Sequence, residues 1–493
     1  MIKMSLAEIA EVVGGQLEPA ADAAGTDVIV TGSVEYDTRK MTPGGLFLAF
    51  VGEQVDGHDF GAVAVAAGAV GAIGQRPLAE LPTIVVPDPL VAVTTLARAV
   101  VDRLPGATLV GLTGSSGKTT TKDFIGQVLA RTGPTIAPPG THNNELGFPY
   151  TVVKANEQTK WLVLEMGASS IGHIKHLCEI APVSIGAVLN VGVAHIGEFG
   201  SVENIAVAKG ELVEALPADG LAILNADDPR VRAMQSRTAA RVVLVGEADD
   251  ADVRAVDVLL DERGRPGYTL VTPEGSVAVQ LGVAGRHQVG NTLAAAAVGL
   301  AAGMSLTEVA AALTELRIVS TRRMDVFDRA DDVTVIDDSY NANPASTAAA
   351  LHALIAFGQD RRRIAVLGYM AELGPSERSG HEEVGELAAR LGVDRLIVVG
   401  AEAEPIHRGA ASVATWEGKS VAVPDQDSAI ALLHAELRPG DVVLVKGSRY
   451  RTWEVADSLR DPAARANSAT ESPAPANSAT ESPAPVNQAR VRG

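Results

Sequence analysis

The most constraining feature of this chain is the octapeptide T-G-S-S-G-K-T-T at residues 113–120. It stands between the apolar run "TLVGLT" and a segment in which Phe124, Ile125, Val128 and Leu129 recur on one helical face. A strand, a glycine turn and a helix start in immediate succession leave unpaired backbone N–H groups around one point. The partial positive charge of the helix N-terminus faces the same point. Such a turn is an anion cradle. Gly114 and Gly117 allow the backbone to aim its N–H groups inward, and Ser115, Ser116 and Thr120 complete the loop. Lys118 can reach outer phosphates and Thr119 can offer a hydroxyl to Mg²⁺. The strict phosphate-loop pattern asks for a further glycine where Leu112 stands, between Gly111 and Gly114. A glycine-rich loop without a ligand is the plain alternative. A lysine followed by two threonines at a helix start favours a nucleoside triphosphate, which does not by itself define a reaction.

The rest of the chain extends that strand–turn–helix unit. At 493 residues it is too long for one ordinary domain. Residues 107–317 alternate strands such as "WLVLEM", "SIGAVLN" and "LAILNA" with helical patterns, with antiparallel hairpins expected over 251–284. A second alternating series, "VTVIDD", "RRIAVLG", "RLIVVG" and "DVVLVKG", occupies about 318–460 and predicts a smaller doubly wound domain. Residues 1–104 mix short strands and helices and open with the capping box S-L-A-E. The predicted fold class is therefore α/β with three domains: a smaller N-terminal one (1–104), a central P-loop ATPase-like parallel sheet (105–317), and a C-terminal Rossmann-like domain (318–460). "ANSATESPAP" occurs twice in tandem, and 461–493 reads as a disordered tail. The Pro105–Gly106 turn and the stretch 317–320 are candidate hinges.

Charge narrows the partners. With 60 acidic and 41 basic side chains the formal charge is −19, which disfavours nucleic acid and anionic membrane surfaces. The longest near-apolar run, residues 61–74, is too short and too rich in Gly and Ala to cross a bilayer, so no membrane insertion is expected. A single cysteine, Cys178, fits a reducing cytoplasm, and the first residues lack the pattern of a signal peptide.

Other polar groups gather at the ends of the predicted strands, where α/β sheets bind ligands. Glu165 closes "WLVLEM" and is placed to hold Mg²⁺ or its water, or to stand solvated. His195 lies between Gly192 and Gly197 in a loop at the same edge; alone it is an ordinary loop histidine. Lys209 sits among Ala, Val and Gly on a helix. A solvent-reaching lysine and a desolvated one are both compatible with that pattern; a desolvated lysine can react with CO₂ to give an anionic carbamate. "IDDSYNANPAS" crowds Asp337, Asp338, Asn341 and Asn343 at another strand end, with Asn343-Pro344 as a helix cap.

Taken together, "DTRKMTPGGLFLAFVG…DGHDF", "GLTGSSGKTTTK", "THNNELGFP", "LEMGA", "NVGVAHIGEFGS", "AKGEL", "LNADDP", "GRHQVGN", "TRRMDV", "DDSYNANP" and "VKGSR" resemble, in order, the Mur ligases, ATP-dependent amide-forming enzymes of peptidoglycan precursor synthesis. The resemblance covers residues 1 to about 460, and the missing first loop glycine is a family trait. "NNELGFP" with "DDSYNANP" is most similar to the branch joining D-alanyl-D-alanine to UDP-N-acetylmuramoyl-tripeptide. The resemblance implies that the first domain holds the UDP end of the substrate, near Thr38 and Arg39, and that Asn143 and Asn144 lie near that substrate. It implies ATP contacts from Lys118, Thr119, Asn291, Arg323 and Asp338, a pair of Mg²⁺ ions served by Thr119, Glu165 and His195, and carbamylation of Lys209. Asn341 and Asn343 would border the dipeptide site of a monomeric cytoplasmic enzyme. No D-N-P-R occurs in 318–460, which weighs against the diamino-acid-adding type, and "DTRK…DGHDF" weighs against a folylpolyglutamate synthetase. A slow nucleotide-dependent switch protein is the rival from another class.

Overall fold

A computed structural model describes residues 1–460 apart from 21–27, 53–54, 194–195, 359 and 449. His195 and the tandem tail at 461–493 therefore lie outside the described residues. Three main sheets follow one another along the chain, giving the three-domain α/β architecture expected from the strand alternation.

The central sheet has nine strands. The strand Thr108–Thr113 lies inside it, paired in parallel with Trp161–Glu165 on one side and Ile185–Val188 on the other. Parallel pairing continues through Leu221–Asn225 and Arg241–Gly246. The hairpins read over 251–284 extend it as the antiparallel strands Val253–Leu260, Pro266–Thr272 and Gly275–Gln280. Side chains alternate between faces, as a strand requires. Val110, Leu112, Val163 and Ala187 meet Phe124, Ile125, Val128 and Leu129 of the helix Lys118–Leu129, together with Val289 and Leu293 of the helix Gln288–Ala301. Leu109, Leu162, Leu164 and Val188 face the opposite way.

That second face is continuous with the core of the first domain. The helix Pro89–Asp102 starts at Asp88, whose carboxylate accepts from the N–H groups of Leu90 and Val91, with proline at the first position. Its apolar residues Val93, Leu96 and Val100 share a cluster with Leu46, Leu48 and Ile73 of the first sheet and with Phe148, Ile174 and Leu177 of the central domain. A buried polar contact crosses the same boundary. Glu35 accepts hydrogen bonds from Tyr150 Oη and from Lys154 Nζ, the latter at 3.2 Å. The near-apolar run 61–74 divides into the helix Gly61–Ala66 and the strand Ala69–Gly74, turned at Gly68 with φ 103°. Among the described residues no helix is long and apolar enough to cross a membrane.

The third sheet runs Asp325–Asp328, Thr334–Asp337, Val442–Lys446, Arg363–Leu367, Arg395–Val399, Lys419–Val423. All pairs are parallel except the first. The edge strands at 325–328 and 419–423 and the helix Glu404–Ala411 are additions to the elements read from sequence. Edge strands carry little apolar signal because only part of each faces the core.

The connection from the central to the third domain is anchored. Ser320 is buried; its N–H and Oγ–H donate to Asp123 Oδ2 at 3.1 and 2.5 Å, and its Oγ accepts from Gly140 N–H at 2.8 Å. Arg322 and Met324 just beyond adopt left-handed backbone, with φ of 60° and 54°. For residues with side chains that conformation is strained.

Because Leu96 is wholly buried in the core shared by two domains, Leu96→Ala should cost about 2–5 kcal/mol. In urea unfolding followed by hydrogen exchange of peptides from each domain, the transition of the first two domains should move to lower denaturant together. A shift confined to the first domain would show that the cluster is not one cooperative unit.

Candidate functional site

The glycine turn sits at the C-terminal end of the central parallel strands. Gly117 is left-handed, φ 78°, and directly precedes the helix that starts at Lys118. The left-handed φ favours glycine there, and a Cβ at residue 117 would lie 2.6 Å from Asn291 Oδ1, so the Asn291 carboxamide would have to move. Asn291 is buried, and its Nδ2 donates to Gln288 Oε1 at 2.8 Å. The helix 288–301 thus brings Asn291 against the loop.

Asn190, two residues past the neighbouring strand, holds the loop from the other side. Its Oδ1 accepts from Ser116 N–H at 2.9 Å and its Nδ2 donates to Ser116 O at 3.1 Å. Ser115 Oγ accepts from Gly192 N–H at 2.8 Å. Lys118 folds back so that Nζ donates to Gly114 O at 2.8 Å. Burial draws its pKa below the ordinary lysine value, and nearby Glu165 opposes that shift. Thr120 occupies the first turn of the helix.

Glu165 ends its strand almost fully buried. Its Oε1 accepts from Asn143 Nδ2 at 2.7 Å, while Oε2 is buried without a hydrogen-bond partner among the described residues. Lys209, whose burial the sequence left open, is 5 % exposed. Desolvation, reinforced by the Lys118 charge, depresses its pKa well below the ordinary value. A buried amine of that kind favours the neutral, nucleophilic form.

Residues 319–323 approach the loop from the interdomain connection. Arg323 Nη2 donates to Thr119 Oγ1 at 3.3 Å and to Thr141 Oγ1 at 3.1 Å, and those two hydroxyls are 3.0 Å apart. The guanidinium lies 4.0 Å from the Tyr340 ring centroid, and its Nε is buried and unpartnered among the described residues. Thr119, Thr141, Ser320, Arg323 and Tyr340 line a cavity of about 310 Å³. An arginine against a hydroxyl beside an empty volume is arranged to meet an anion.

In the third domain Asp338 Oδ2 accepts from Lys446 Nζ at 2.5 Å and its Oδ1 from Met324 N–H at 3.1 Å. Lys446 Nζ also donates to Asn341 O at 2.9 Å. Asn343 caps the helix Pro344–Phe357 through Oδ1 and Ser346 N–H, 2.9 Å, so its side chain is committed to local structure. Asn144 likewise accepts from Gly147 N–H at 2.8 Å. Thr38 and Arg39 form a short turn of the first domain, where Arg39 pairs with Asp37 at 2.8 Å and is largely exposed. No hydrogen bond among the described residues links Thr38 or Arg39 to the glycine turn.

Sequence reasoning quoted the motifs that hold Thr141, Asn190, Tyr340 and Lys446 but gave none of the four a role of its own. Lys446 ends a strand and Asn190 lies two residues past one, and that position was the available signal. Thr141 and Tyr340 enter through tertiary packing, and only membership of a quoted motif marked them.

Three family descriptions match the chain: "Mur ligase family, catalytic domain" over 31–104, "Mur ligase middle domain" over 112–299 and "Mur ligase, glutamate ligase domain" over 322–449. The chain is 49 % identical to the UDP-N-acetylmuramoyl-tripeptide–D-alanyl-D-alanine ligase of Mycobacterium tuberculosis, covering 93 % of this chain and 98 % of that protein. It is 36 % identical to the Escherichia coli ligase of the same name, covering 92 % and 97 %. Among solved structures, MurF from Acinetobacter baumannii superposes with a TM-score of 0.80 at 31 % identity, covering 93 % and 99 %. MurF from Thermotoga maritima in complex with ADP gives 0.73 at 30 %, covering 87 % and 97 %.

Next to this site, burial and the neighbouring Lys122, Lys154 and Lys40 charges lower the His142 pKa from 6.5 to about 4. Its neutral form is favoured by folding. Between those values the unfolded chain binds more protons, so this contribution to stability is complete above pH 6.5 and is lost as pH falls toward 4. His142→Gln should therefore flatten the fall in stability over that window, measured as urea midpoints at stepped pH. Parallel curves for the two proteins would refute the assignment.

Proposed function

The chain belongs to the Mur ligase family, and we propose that it joins D-alanyl-D-alanine to the terminal carboxylate of UDP-N-acetylmuramoyl-tripeptide at the expense of ATP. The observation that carries this reading is the convergence on one loop of a half-buried lysine, a buried and half-satisfied carboxylate, and an arginine delivered from the next domain. The names of the relatives support the choice of substrates.

A carboxylate is a poor electrophile because oxide is not a leaving group. Transfer of the γ-phosphoryl group to that carboxylate yields an acyl phosphate and ADP. The free amine of the dipeptide then attacks the acyl carbon, and the tetrahedral adduct collapses to the amide with loss of inorganic phosphate. No side-chain nucleophile is needed, so the protein contributes position and charge. Gly114, Ser115, Ser116, Gly117 and Thr120 cradle the phosphates, with Asn291 packed behind them. Lys118 and Arg323 draw off negative charge as carboxylate and phosphate approach. Asp338 and Lys446 set the third domain against the nucleotide.

The donor set fits divalent cations. Glu165 has a buried oxygen without a partner among the described residues, Thr119 offers a neutral hydroxyl at the start of the cradle's helix, and an unprotonated Lys209 can accept CO₂ to become a second anionic ligand. His195, by the family resemblance, would complete the set. Bound Mg²⁺ would supply charge neutralisation to the triphosphate and the acceptor carboxylate. We place the domain divisions near 104 and 317, assign the UDP end to the first domain near Thr38 and Arg39, and assign the dipeptide to the third near Asn341 and Asn343. Asn144 borders the peptide between them. The enzyme acts as a cytoplasmic monomer.

Mass spectrometry of the products from ATP, UDP-N-acetylmuramoyl-tripeptide and D-alanyl-D-alanine tests the reaction, and ATP hydrolysis indifferent to the dipeptide would instead indicate a switch protein. ¹⁸O placed in the acceptor carboxylate should appear in the released phosphate; its absence would exclude the acyl phosphate. Lys118→Ala should lower kcat by about a hundredfold or more with an intact fold. Lys209→Ala should lose activity and regain part of it with a short carboxylic acid, which a purely structural lysine would not permit.

A further inference from the structure

The loop 138–144 is tied to the nucleotide cradle at several points. Lys122, on the cradle's helix, donates from Nζ to the carbonyls of Pro138 and Gly140, the latter at 3.0 Å. Gly140 N–H meets Ser320 Oγ, and Thr141 Oγ1 meets Thr119 Oγ1. The loop then reaches Glu165, two positions before Gly167. Gly167 N–H donates to Asn143 O at 3.1 Å, and Asn143 Nδ2 donates to Glu165 Oε1 at 2.7 Å. A Cβ on Gly167 would lie 3.0 Å from both Asn143 Cγ and Asn143 O, so the asparagine is gripped by main chain and side chain together. The strand end beneath is itself fixed, since Met166 N–H donates to Leu112 O at 2.8 Å and Thr113 Oγ1 to Met166 O at 2.9 Å.

The consequence for Glu165 is an asymmetric carboxylate. The residue is 3 % exposed; one oxygen is held by an amide and the other is buried and bare. A half-satisfied buried carboxylate is costly unless a cation or donor arrives to complete it. An amide donor on one oxygen orients the plane of the group and leaves a single site for a cation. Outer partners of metal ligands commonly act in this way.

We infer that Asn143 is a positioning residue: its carboxamide fixes the Glu165 carboxylate so that Oε2 is presented to a divalent cation. This rests on the reading of Glu165 as a metal ligand, and it gives Asn143 a task different from the substrate contact that the family resemblance implies. Because the loop also bonds Thr119, one segment sets two ligands of the metal region at once.

The test is Mn²⁺ titration by electron paramagnetic resonance on the full chain with a non-hydrolysable ATP analogue, alongside steady-state kinetics. Asn143→Ala should weaken Mn²⁺ binding about tenfold or more. Asn143→Ser, which like the alanine variant keeps the main-chain bond to Gly167 but retains a polar side chain too short for Glu165, should do the same and guards against a folding defect caused by the apolar replacement. Adding Asn143→Ala to Glu165→Gln should cause no further loss, because the amide then has no carboxylate to orient. KM for the UDP-substrate should stay within about twofold while kcat falls. Unchanged Mn²⁺ binding with a raised KM, or additive losses in the double variant, would overturn the inference. Normal Mn²⁺ binding by Glu165→Gln would instead overturn the underlying reading of Glu165.

Discussion

Everything else in this molecule depends on one backbone event: a parallel strand ends, turns through a left-handed glycine and becomes a helix within four residues. The unpaired N–H groups and the helix dipole then face one point, and Lys118 is carried there by its position at the helix start. A side chain at residue 117 would have to hold a left-handed backbone and displace the Asn291 carboxamide. The nine-stranded sheet makes the turn rigid by pairing its strand on both sides.

Around that cradle the structure distributes polar groups so that each domain holds some of the others. Asn190 of the central sheet pins the loop, and Asp123 on the cradle's helix anchors the interdomain connection through Ser320. Arg323 crosses from that connection to the Thr119 hydroxyl. The third domain answers with Lys446 on Asp338, whose other oxygen accepts from the connection at Met324. The strained residues Arg322 and Met324 lie between these anchors, where a change in the angle between domains would have to be absorbed. On the opposite side, the first domain is joined through a shared apolar core and the Glu35–Tyr150 contact. The two domain boundaries are therefore physically different, one apolar and continuous, the other polar and strained.

Much of the scaffold was legible because it obeys local rules. The capping box at Ser5 and the cap at Asn343 formed as their spacing requires, and the helix 344–357 follows its proline start. Strands buried on both faces announced themselves as apolar runs. Edge strands such as Lys419–Val423 did not, because a short, half-exposed run has no distinctive period. The site was legible where residues stand at strand ends or in the loop itself, as with Lys118, Thr119 and Glu165. Thr141 and Tyr340 stood inside quoted motifs without a legible task, since their role comes from what folds against them.

From sequence alone came the anion cradle, the three α/β units and the family resemblance, because these rest on local conformation and on residue order. The tertiary structure decided the state of each side chain. Lys209 could have been solvated; packing buried it and shifted its proton equilibrium. Asn143 could have pointed anywhere from its loop; contact with Gly167 aimed it at Glu165. Burial and hydrogen-bond partnership depend on segments distant in the chain, and a linear pattern carries no measure of the distance between them.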